Sequence, residues 1–413
     1  MQRTAEAVSM GHPDKTADYI SSYILDRVIT QDPDARYAVE VMIKDNTVIL
    51  GGEISTSAKL DNLTKYVKTA LAEIGYDDKY SALWGEYVIN PAQLNVINLI
   101  GIQSSDIAQG VKADGWGDQG VFVGYACQGE GKINKELFLA RKLNNALYEK
   151  ALDSDNLGID IKTQITLNDD KIETAIVAIP MLQDEDLTDF VISVLGEKPA
   201  HIIVNGTGRY TYHGSIADCG VTGRKLACDF YSTACPIGGG SPWTKDGSKA
   251  DLTLNLYARV LACENLADND ECFVYLSSCI GRAELPSGLI KTIKNGIVSY
   301  NNLWCNQKPS KLIRYFGLKN PIYAKLCCKG ISGITPDNAN LFVNDGCKGA
   351  FNCLMRSIER SNVRYEQLDE SIKRKLADFC PLDRDDLMWY LLDMKLPFEE
   401  ALVELKKQRA AGF

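Results

Sequence analysis

Five residues near the N-terminus, Gly11-His12-Pro13-Asp14-Lys15, bring together a titratable ring, a carboxylate and an ammonium group. The chain has only 3 histidines, so His12 is one of few candidates for a reactive imidazole. A helix N-terminus with a carboxylate for a cation and a lysine for an anion suits a metal-bound polyphosphate. An ordinary helix cap is the alternative, because Pro at the first helical position and Asp in the first turn are favoured there.

The stretch from Gly206 to Asp251 carries the densest set of chemically useful residues. Its 9 glycines let backbone amides approach a ligand closely. Between them lie cations that neutralise phosphate and acids that hold Mg²⁺. These charged residues are Arg209, Arg224, Lys225, Lys245, Lys249, Asp218, Asp229, Asp246 and Asp251. A glycine-rich surface loop with solvated charges is the alternative.

Neither of two common nucleotide-binding motifs occurs in the form that its function requires. The P-loop pattern G-x-x-x-x-G-K-[ST] fails at Lys245, which Thr244 precedes and Asp246 follows. The glycines of residues 115–120 have the spacing G-x-G-x-x-G, but they follow a polar loop and not a predicted strand, so they lack the context of a dinucleotide-binding fingerprint. The sequence therefore favours neither a Walker-type ATPase nor a Rossmann dehydrogenase.

Periodic patterns predict the elements that position the first of these residues. Apolar residues at helical spacing predict a helix over 13–29, and alternating residues predict a hairpin of strands 37–44 and 47–56. Glu40 lies on the face of the first strand opposite Tyr37, Val39, Val41 and Ile43, and Glu53 lies near the end of the second. A carboxylate at position 40 needs a partner if it is buried. A solvated strand face is the alternative for both glutamates.

A second hairpin is predicted from 159–167 and 172–182, after a helix over 135–150. Alternation places one polar row on a single face of its first strand. The row consists of Asp160, Lys162, Gln164 and Thr166. It suits a ligand surface, and an exposed sheet face is the alternative. Residues 104–117 are polar and glycine-rich, which predicts a mobile loop or lid between Gln103 and the GDQG segment at 117–120.

Composition limits the classes of protein and partner. The net charge is −9 without a long basic run, so we expect no nucleic-acid partner. No stretch approaches the roughly 20 apolar residues of a membrane span, and the N-terminus lacks a signal core, so we expect a cytoplasmic protein without a membrane partner. The 13 cysteines are scattered without a C-x-x-C, which predicts reduced thiols.

Taken together, the motifs resemble those of the S-adenosylmethionine synthetase (methionine adenosyltransferase) family. They match in family order over roughly residues 3–325. The matches are GHPDK at 11–15, GGEI at 51–54, QSSDIAQGV at 103–111, GDQG at 117–120, DIKTQIT at 160–166, TGR at 207–209, DCGVTGRK at 218–225, GGG…KDGSKAD at 238–251 and, more weakly, NPIY at 320–323. GHPDK and D-x-G-x-T-G-R-K are the specific ones.

The resemblance implies a reaction between ATP and L-methionine. The methionine sulfur attacks C5′ of ATP, S-adenosylmethionine forms, and the triphosphate leaves and is hydrolysed to phosphate and pyrophosphate. A neutral thioether needs no general base, so the site must supply alignment and charge stabilisation. That chemistry agrees with a chain rich in cations and poor in histidine.

The resemblance also implies roles for individual residues. His12, Lys162, Arg224 and Lys245 are expected to be catalytic. The nucleotide is expected to contact His12, Asp160, Lys162, Arg209, Tyr210, Asp218, Arg224, Lys225, Ser241 and Lys245. Methionine is expected to contact Glu53, Gln103, Asp218 and Lys249. Asp14 and Asp251 are expected to bind two Mg²⁺ ions, and Glu40 is expected to bind K⁺.

The family fold is α+β, with three similar sheet-plus-helix domains around a pseudo-threefold axis. By this resemblance we expect domains at 1–103, 118–212 and 213–336, a gating loop at 104–117 and an appended helical region at 337–413. Family members are homodimers or dimers of dimers with active sites between subunits, and we expect the same here.

Departures from the family pattern mark a divergent member. Met10 replaces a glutamate, His213-Gly214-Ser215 replaces Gly-Gly-Pro, Thr244 replaces a glycine, and Ser241-Pro242 replaces a small–aromatic pair. The gating loop is shorter, and residues 337–413 have no counterpart. These changes keep two alternatives open. One is a non-catalytic regulatory homologue, and the other is an enzyme for an altered nucleotide or methionine analogue.

Overall fold

The computed structural model describes residues 2–102, 114–303 and 308–339. Contacts divide the chain into two units, residues 1–313 with 318–336 and residues 314–317 with 337–413. Gln103, most of the predicted gating loop and nearly all of the predicted helical extension lie outside the described residues. The site described below lies within the first unit.

Strands and helices alternate along the described residues. The strands are β1 (Gln2–Val8), β2 (Arg36–Lys44), β3 (Thr47–Ser55), β4 (Asn95–Ile102), β5 (Gly120–Cys127), β6 (Lys162–Asn168), β7 (Lys171–Ala178), β8 (His201–Val204), β9 (Gly220–Val221), β10 (Glu271–Ser278), β11 (Ser287–Lys294) and β12 (Ile297–Asn302). The α-helices are α1 (Pro13–Gln31), α2 (Leu63–Glu73), α3 (Asp78–Trp84), α4 (Lys135–Leu152), α5 (Thr188–Leu195), α6 (Leu226–Asp229), α7 (Ala250–Asn265), α8 (Pro309–Tyr315) and α9 (Tyr323–Lys329).

The strands form three four-stranded sheets, and each sheet packs against helices. Their strand orders are β1-β6-β7-β8, β12-β11-β10-β5 and β4-β3-β2-β9. Helix α4 packs on the first sheet, α7 on the second and α1 on the third. The predicted α+β class with three sheet-plus-helix units is therefore confirmed.

Each sheet combines strands from distant parts of the sequence. β1 pairs with β6, β5 pairs with β10, and β2 pairs with β9. Each of the predicted domain segments, 1–103, 118–212 and 213–336, therefore contributes strands to two sheets. Local patterns predict individual strands, but they carry no signal for pairing between strands so far apart in sequence.

Several local predictions are confirmed. Helix α1 begins at Pro13 as predicted and ends two residues later than predicted. The two hairpins form with β2 paired to β3 and β6 paired to β7. The predicted apolar face of β2 is buried, whereas Glu40 lies on the opposite, exposed face. On β6, Thr163, Ile165 and Leu167 are buried and Lys162 is exposed.

Two strand pairings bring the predicted site residues toward the start of α1. At the end of β1, Val8 lies opposite Lys162, so the chain enters the GHPDK segment beside β6. In the β4-β3-β2-β9 sheet, Val221 of β9 lies opposite Met42 of β2. Arg224 and Lys225 come directly after β9 in the sequence, so this pairing fixes where their segment begins. No helix in the described part of the chain is long and apolar enough to span a membrane.

Candidate active site

The N-terminus of α1 is held between two other segments. His12 has extended backbone angles and caps the helix, its Nδ1 accepting a hydrogen bond of 3.1 Å from the Asp14 N–H. Gly11 packs against the backbone of Ile159, where an added Cβ would lie 2.3 Å from the carbonyl oxygen. Only glycine permits this approach. Both interpretations of the motif therefore remain compatible with the geometry, because the same imidazole caps the helix and lies beside charged groups.

Asp14 is buried and both of its carboxylate oxygens accept hydrogen bonds. Oδ1 accepts from the Val221 N–H at 2.9 Å, and Oδ2 accepts from Lys225 Nζ at 2.6 Å. Burial opposes ionisation, but the hydrogen bonds from Lys225 and Val221 outweigh it and lower the pKa of Asp14. Asp14 is therefore an ionised carboxylate at neutral pH.

His12 lies among several charged side chains. Burial, together with the positive charges of Lys225 and Lys162, lowers its pKa to about 3, and the nearby carboxylates of Asp14 and Asp218 oppose that shift only in part. The imidazole is therefore neutral at physiological pH. These interactions place five of the predicted residues, from three parts of the sequence, around one helix N-terminus.

A fully buried ionic network lies directly beneath this cluster. Lys15 Nζ lies 2.7 Å from Asp229 Oδ2 and 3.2 Å from Asp18 Oδ2. Asp229 Oδ2 also accepts from Trp243 Nε1 at 2.8 Å, and Asp18 Oδ1 accepts from the Gly223 N–H at 2.9 Å. The network ties α1 to the segments that carry Lys225 and Lys245.

The sequence analysis proposed the lysine of GHPDK as an anion ligand and Asp229 as one of the acids that could hold Mg²⁺, but the structure pairs Lys15 with Asp18 and Asp229. Lys15 belongs to the GHPDK motif and Asp229 to the charged stretch, so both residues could be noted from the sequence. Their contact with each other could not be predicted, because they lie about 200 positions apart in the sequence. Asp18 lies four residues after Asp14 and three after Lys15, and side chains at these spacings are neighbours on a helix. This spacing was the one sequence feature that could have indicated a contact of Asp18.

Asp160 lies just before β6, and Tyr210 lies in the segment between β8 and β9. Asp160 Oδ2 accepts from the Gly214 N–H at 2.8 Å. Burial raises its pKa to about 6, against the effect of that hydrogen bond and of the positive charge on Lys162. Arg209 instead donates to the Leu182 carbonyl at 2.8 Å and lies 3.5 Å from Asp184, and the structure gives it no contact with the α1 cluster.

Glu40 is held by two threonines from different loops. Its Oε1 accepts from Thr244 Oγ1 at 3.0 Å, and its Oε2 accepts from Thr222 Oγ1. No lysine, arginine or histidine of the described residues lies within ion-pair distance of this carboxylate. Glu40 thus carries a negative charge that hydroxyl groups orient but do not neutralise.

Lys245 and Asp251 form a second lysine–aspartate pair at the start of α7. The backbone of Gly240 lies against this carboxylate, since an added Cβ would come within 2.0 Å of Asp251 Oδ1. Ser241 Oγ is buried and has no hydrogen-bond partner among the described residues. Lys249 precedes α7 at its N-cap position. Arg224 is exposed beside Lys225.

The residues predicted for methionine are less closely grouped. Glu53 lies opposite Ala38 in the β2–β3 ladder, and Ala38 in turn pairs with Lys245. Asp218 is exposed and accepts a hydrogen bond from the Cys219 N–H. Gln103 lies outside the described residues, and no contact joins Glu53, Asp218 and Lys249 to one another in the part of the chain that the structure describes.

The described residues contain no group of three or more His, Cys, Asp or Glu side chains that could hold a metal ion. Single carboxylates suit a different kind of metal site. Mg²⁺ is commonly bound by one or two carboxylates together with substrate phosphates, and the remaining ligands are water. The two lysine–aspartate pairs fit that description.

Comparisons with known proteins identify the family of the chain. Residues 1–105 match the family model "S-adenosylmethionine synthetase, N-terminal domain", and residues 212–339 match "S-adenosylmethionine synthetase, C-terminal domain". A solved structure of an unusual S-adenosylmethionine synthetase from Campylobacter jejuni is similar, with 29% identity and a TM-score of 0.72. The match covers 81% of this chain and 95% of that one.

Proposed function

The chain belongs to the S-adenosylmethionine synthetase family, and we propose that it is an active methionine adenosyltransferase. It would convert ATP, L-methionine and water to S-adenosylmethionine, phosphate and pyrophosphate. The methionine sulfur attacks C5′ of ATP, the bond from C5′ to the triphosphate breaks, and a sulfonium product forms. Water then hydrolyses the triphosphate.

The observation that carries this proposal is the charge arrangement around the N-terminus of α1. A neutral His12 and the cation Lys225 lie beside a helix N-terminus, and the positive charge of Lys162 also acts on His12. A helix N-terminus favours bound anions, and lysines add further positive charge. This arrangement suits a polyphosphate leaving group.

Two Mg²⁺ ions are implied by the family, and the residues present fit them. Asp14 and Asp251 are carboxylates that each accept from one lysine, and Gly240 lets the backbone approach the Asp251 carboxylate closely because it has no Cβ. When bound, Mg²⁺ would neutralise charge on the triphosphate. Asp14 and Asp251 would hold the ions.

Within the reaction, the neutral His12 ring and the cations of this chain act on the leaving triphosphate. His12, Lys162, Arg224 and Lys245 are proposed to stabilise the charge that develops as the C5′–O bond breaks, and Lys225 to hold the phosphates. Donors that already lie where the charge develops stabilise it with little reorganisation. Removing one such donor typically costs a factor of roughly 10²–10³ in rate.

The remaining nucleotide and methionine contacts follow the family assignment. Asp160, Arg209, Tyr210, Asp218 and Ser241 are proposed to contact ATP. Glu53, Gln103, Asp218 and Lys249 are proposed to bind the amino and carboxylate groups of methionine. The buried Ser241 hydroxyl, which has no partner among the described residues, supports the proposed contact of Ser241 with ATP. A buried hydroxyl without a partner is costly unless a ligand pairs with it.

K⁺ is proposed to bind at Glu40. The carboxylate oxygens there are hard ligands that bear an uncompensated negative charge, and Thr222 and Thr244 orient them. A bound K⁺ would supply the missing positive charge. The Thr244 hydroxyl is a feature of this chain, since the family pattern has glycine at that position.

We also propose a homodimer or a dimer of dimers, with active sites between subunits. The support comes from the exposed face of the sheet that carries Glu40, where Met42, Ile97 and Leu99 are 42%, 39% and 66% exposed. Their strands β2, β3 and β4 pair in register, so these side chains share one face. A sizing experiment that finds a catalytically active monomer would contradict this proposal.

The decisive test is an assay with ATP, L-methionine, Mg²⁺ and K⁺ that quantifies all three products. Equal amounts of S-adenosylmethionine, phosphate and pyrophosphate are expected. Phosphate without S-adenosylmethionine would favour an enzyme for an altered methionine analogue, and activity with another nucleoside triphosphate would favour an altered nucleotide. ATP binding without any product would favour the regulatory homologue.

A further inference from the structure

An aromatic cluster lies behind the candidate nucleotide site. It consists of Tyr76, Tyr80, Trp84 and His213, which we call the aromatic buttress. The His213 ring lies edge-on to Trp84 with centroids 4.6 Å apart and edge-on to Tyr80 at 5.8 Å. His213 and Trp84 are each 1% exposed. His213 stands where the family pattern has glycine, so that pattern carries no imidazole at this position.

The hydrogen bonds of His213 fix its tautomer. Its Nδ1 lies 2.7 Å from the Thr211 carbonyl oxygen, which can only accept, so Nδ1 carries the hydrogen. Burial lowers the pKa of His213 to about 4, so the ring is neutral and Nε2 is an acceptor. The Tyr80 hydroxyl, 2.6 Å away, therefore donates to Nε2.

The same hydroxyl connects His213 to the residue before Asp160. Tyr80 OH accepts a hydrogen bond of 3.0 Å from the Ile159 N–H. The backbone of Ile159 is thus fixed on this side by the buttress and on the other by Gly11, which lies directly before His12. On the far side of His213, the next residue, Gly214, donates its N–H to Asp160 Oδ2 at 2.8 Å.

His213 therefore acts on Asp160 from two directions. Through Tyr80 it holds the N–H of Ile159, the residue that precedes Asp160, and through its own chain it places the Gly214 N–H that orients the carboxylate. Asp160 is an acceptor that repels phosphate, so its proper partner in ATP is a donor group of the nucleoside, such as a ribose hydroxyl.

We propose that His213 is a positioning residue for nucleoside recognition, which sets Asp160 through Tyr80 and Gly214. This inference rests on the proposed function, because it takes Asp160 as a nucleotide contact. It adds a specificity-determining role for a residue outside the motifs that identify the family. The nucleoside end of ATP, and neither the triphosphate nor methionine, is the part whose binding depends on it.

Two variants remove the connection in different ways. His213→Phe keeps a planar ring and loses both ring nitrogens, whereas Tyr80→Phe loses only the hydroxyl and keeps the packing. Leaving a buried donor or acceptor unpaired weakens the arrangement it supports. We expect each variant to raise the KM for ATP about tenfold, which corresponds to about 1.4 kcal/mol. The KM for methionine and the hydrolysis of added tripolyphosphate are expected to stay unchanged.

Trp84→Phe is the matched control within the same cluster. Trp84 packs on His213, but its indole nitrogen has no hydrogen-bond partner among the residues that the structure describes. This variant is expected to lower the melting temperature without changing the KM for ATP. Equal increases in the KM for ATP in all three variants would overturn the inference, because they would indicate a loss of packing only.

The outcomes separate this inference from the proposed function. An active wild-type enzyme whose two test variants bind ATP normally would overturn the inference alone. If the wild type forms no S-adenosylmethionine, calorimetric titration with MgATP replaces the KM. About tenfold weaker binding by both variants would then still support the role of His213. A wild type that does not bind MgATP would overturn both.

Discussion

Lys225 Nζ lies 2.6 Å from Asp14 Oδ2, and this pair joins two residues with different proposed partners. Lys225 is proposed to hold phosphate, and Asp14 is proposed to hold Mg²⁺. Lys245 and Asp251 form a second pair of the same kind. In both pairs each charge satisfies the other, so these two lysines and two carboxylates are already paired before a substrate binds. Binding of a Mg²⁺–ATP complex would exchange each internal partner for one from the substrate.

Replacing Lys225 by methionine tests this relationship. The Lys225→Met change removes a phosphate-binding cation and leaves the buried Asp14 carboxylate without its ion partner. We expect kcat to fall by a factor on the order of 10²–10³, the usual cost of losing one fixed charge that stabilises a transition state. Steady-state rates of S-adenosylmethionine formation at saturating ATP and methionine give the measurement.

Lys319→Met is the matched control for that variant. Lys319 Nζ lies 2.6 Å from Asp34 Oδ1, but both side chains are exposed, so the pair is screened by water. Its loss is expected to change stability by less than about 1 kcal/mol and to leave the rate unaltered. Similar rates for the two variants would contradict the proposed role of Lys225 in the active site.

Substituting asparagine for His12 separates helix capping from chemistry. Asparagine is a favourable N-cap residue, so the His12→Asn side chain can still accept from the Asp14 N–H. The melting temperature is therefore expected to change little, while product formation falls by at least ~10². Because the pKa of His12 is about 3, wild-type activity should show no loss from protonation of this ring between pH 6 and pH 8. Unchanged turnover in His12→Asn would show that His12 acts only as the N-cap of α1.

Much of the local structure could be predicted from sequence, because it depends on short-range patterns. The start of α1 at Pro13 follows from proline preference, and the buried face of β2 follows from alternation. The motif GHPDK indicated where His12 and Asp14 would lie. Each of these inferences needs only residues that are close together in the sequence.

The supporting contacts could not be predicted in the same way. The pairing of Lys15 with Asp229 and the link from Asp18 to Gly223 join segments about 200 residues apart. His213 was visible as a departure from the family pattern, yet nothing in the sequence connected it with Tyr80. Such contacts depend on strand pairings like β2 with β9, for which local periodicity carries no information.

The proposed K⁺ site is tested by Glu40→Gln. Glutamine keeps the shape of the side chain and can still accept from one threonine hydroxyl, but it removes the negative charge. Activation by K⁺ is therefore expected to weaken, because the cation loses its charged ligand. Initial rates are measured over a range of KCl concentrations, with tetramethylammonium chloride holding the ionic strength constant. An identical response to K⁺ in the variant and the wild type would exclude Glu40 as the ligand.

The buried histidine of the aromatic buttress predicts a pH dependence of stability. The pKa of His213 is lowered to about 4 by burial, whereas an unfolded histidine titrates near 6.5. Between these values the unfolded chain binds a proton that the folded chain does not, so the contribution of His213 to stability falls as the pH falls below about 6.5. From these values the loss by pH 5 is on the order of 2 kcal/mol.

His213→Gln removes this titration and is compared with the wild type at pH 7.5 and pH 5 by urea unfolding. Glutamine costs stability at pH 7.5, because it packs less well among the aromatic rings. On going to pH 5 the variant should lose about 2 kcal/mol less than the wild type, since it carries no proton-binding group at this position. Trp84→Phe disturbs the same cluster without changing a titratable group, so its difference from the wild type should be equal at both pH values. Parallel losses in all three proteins would mean that His213 accepts a proton while still folded, which its two hydrogen bonds to Thr211 and Tyr80 argue against.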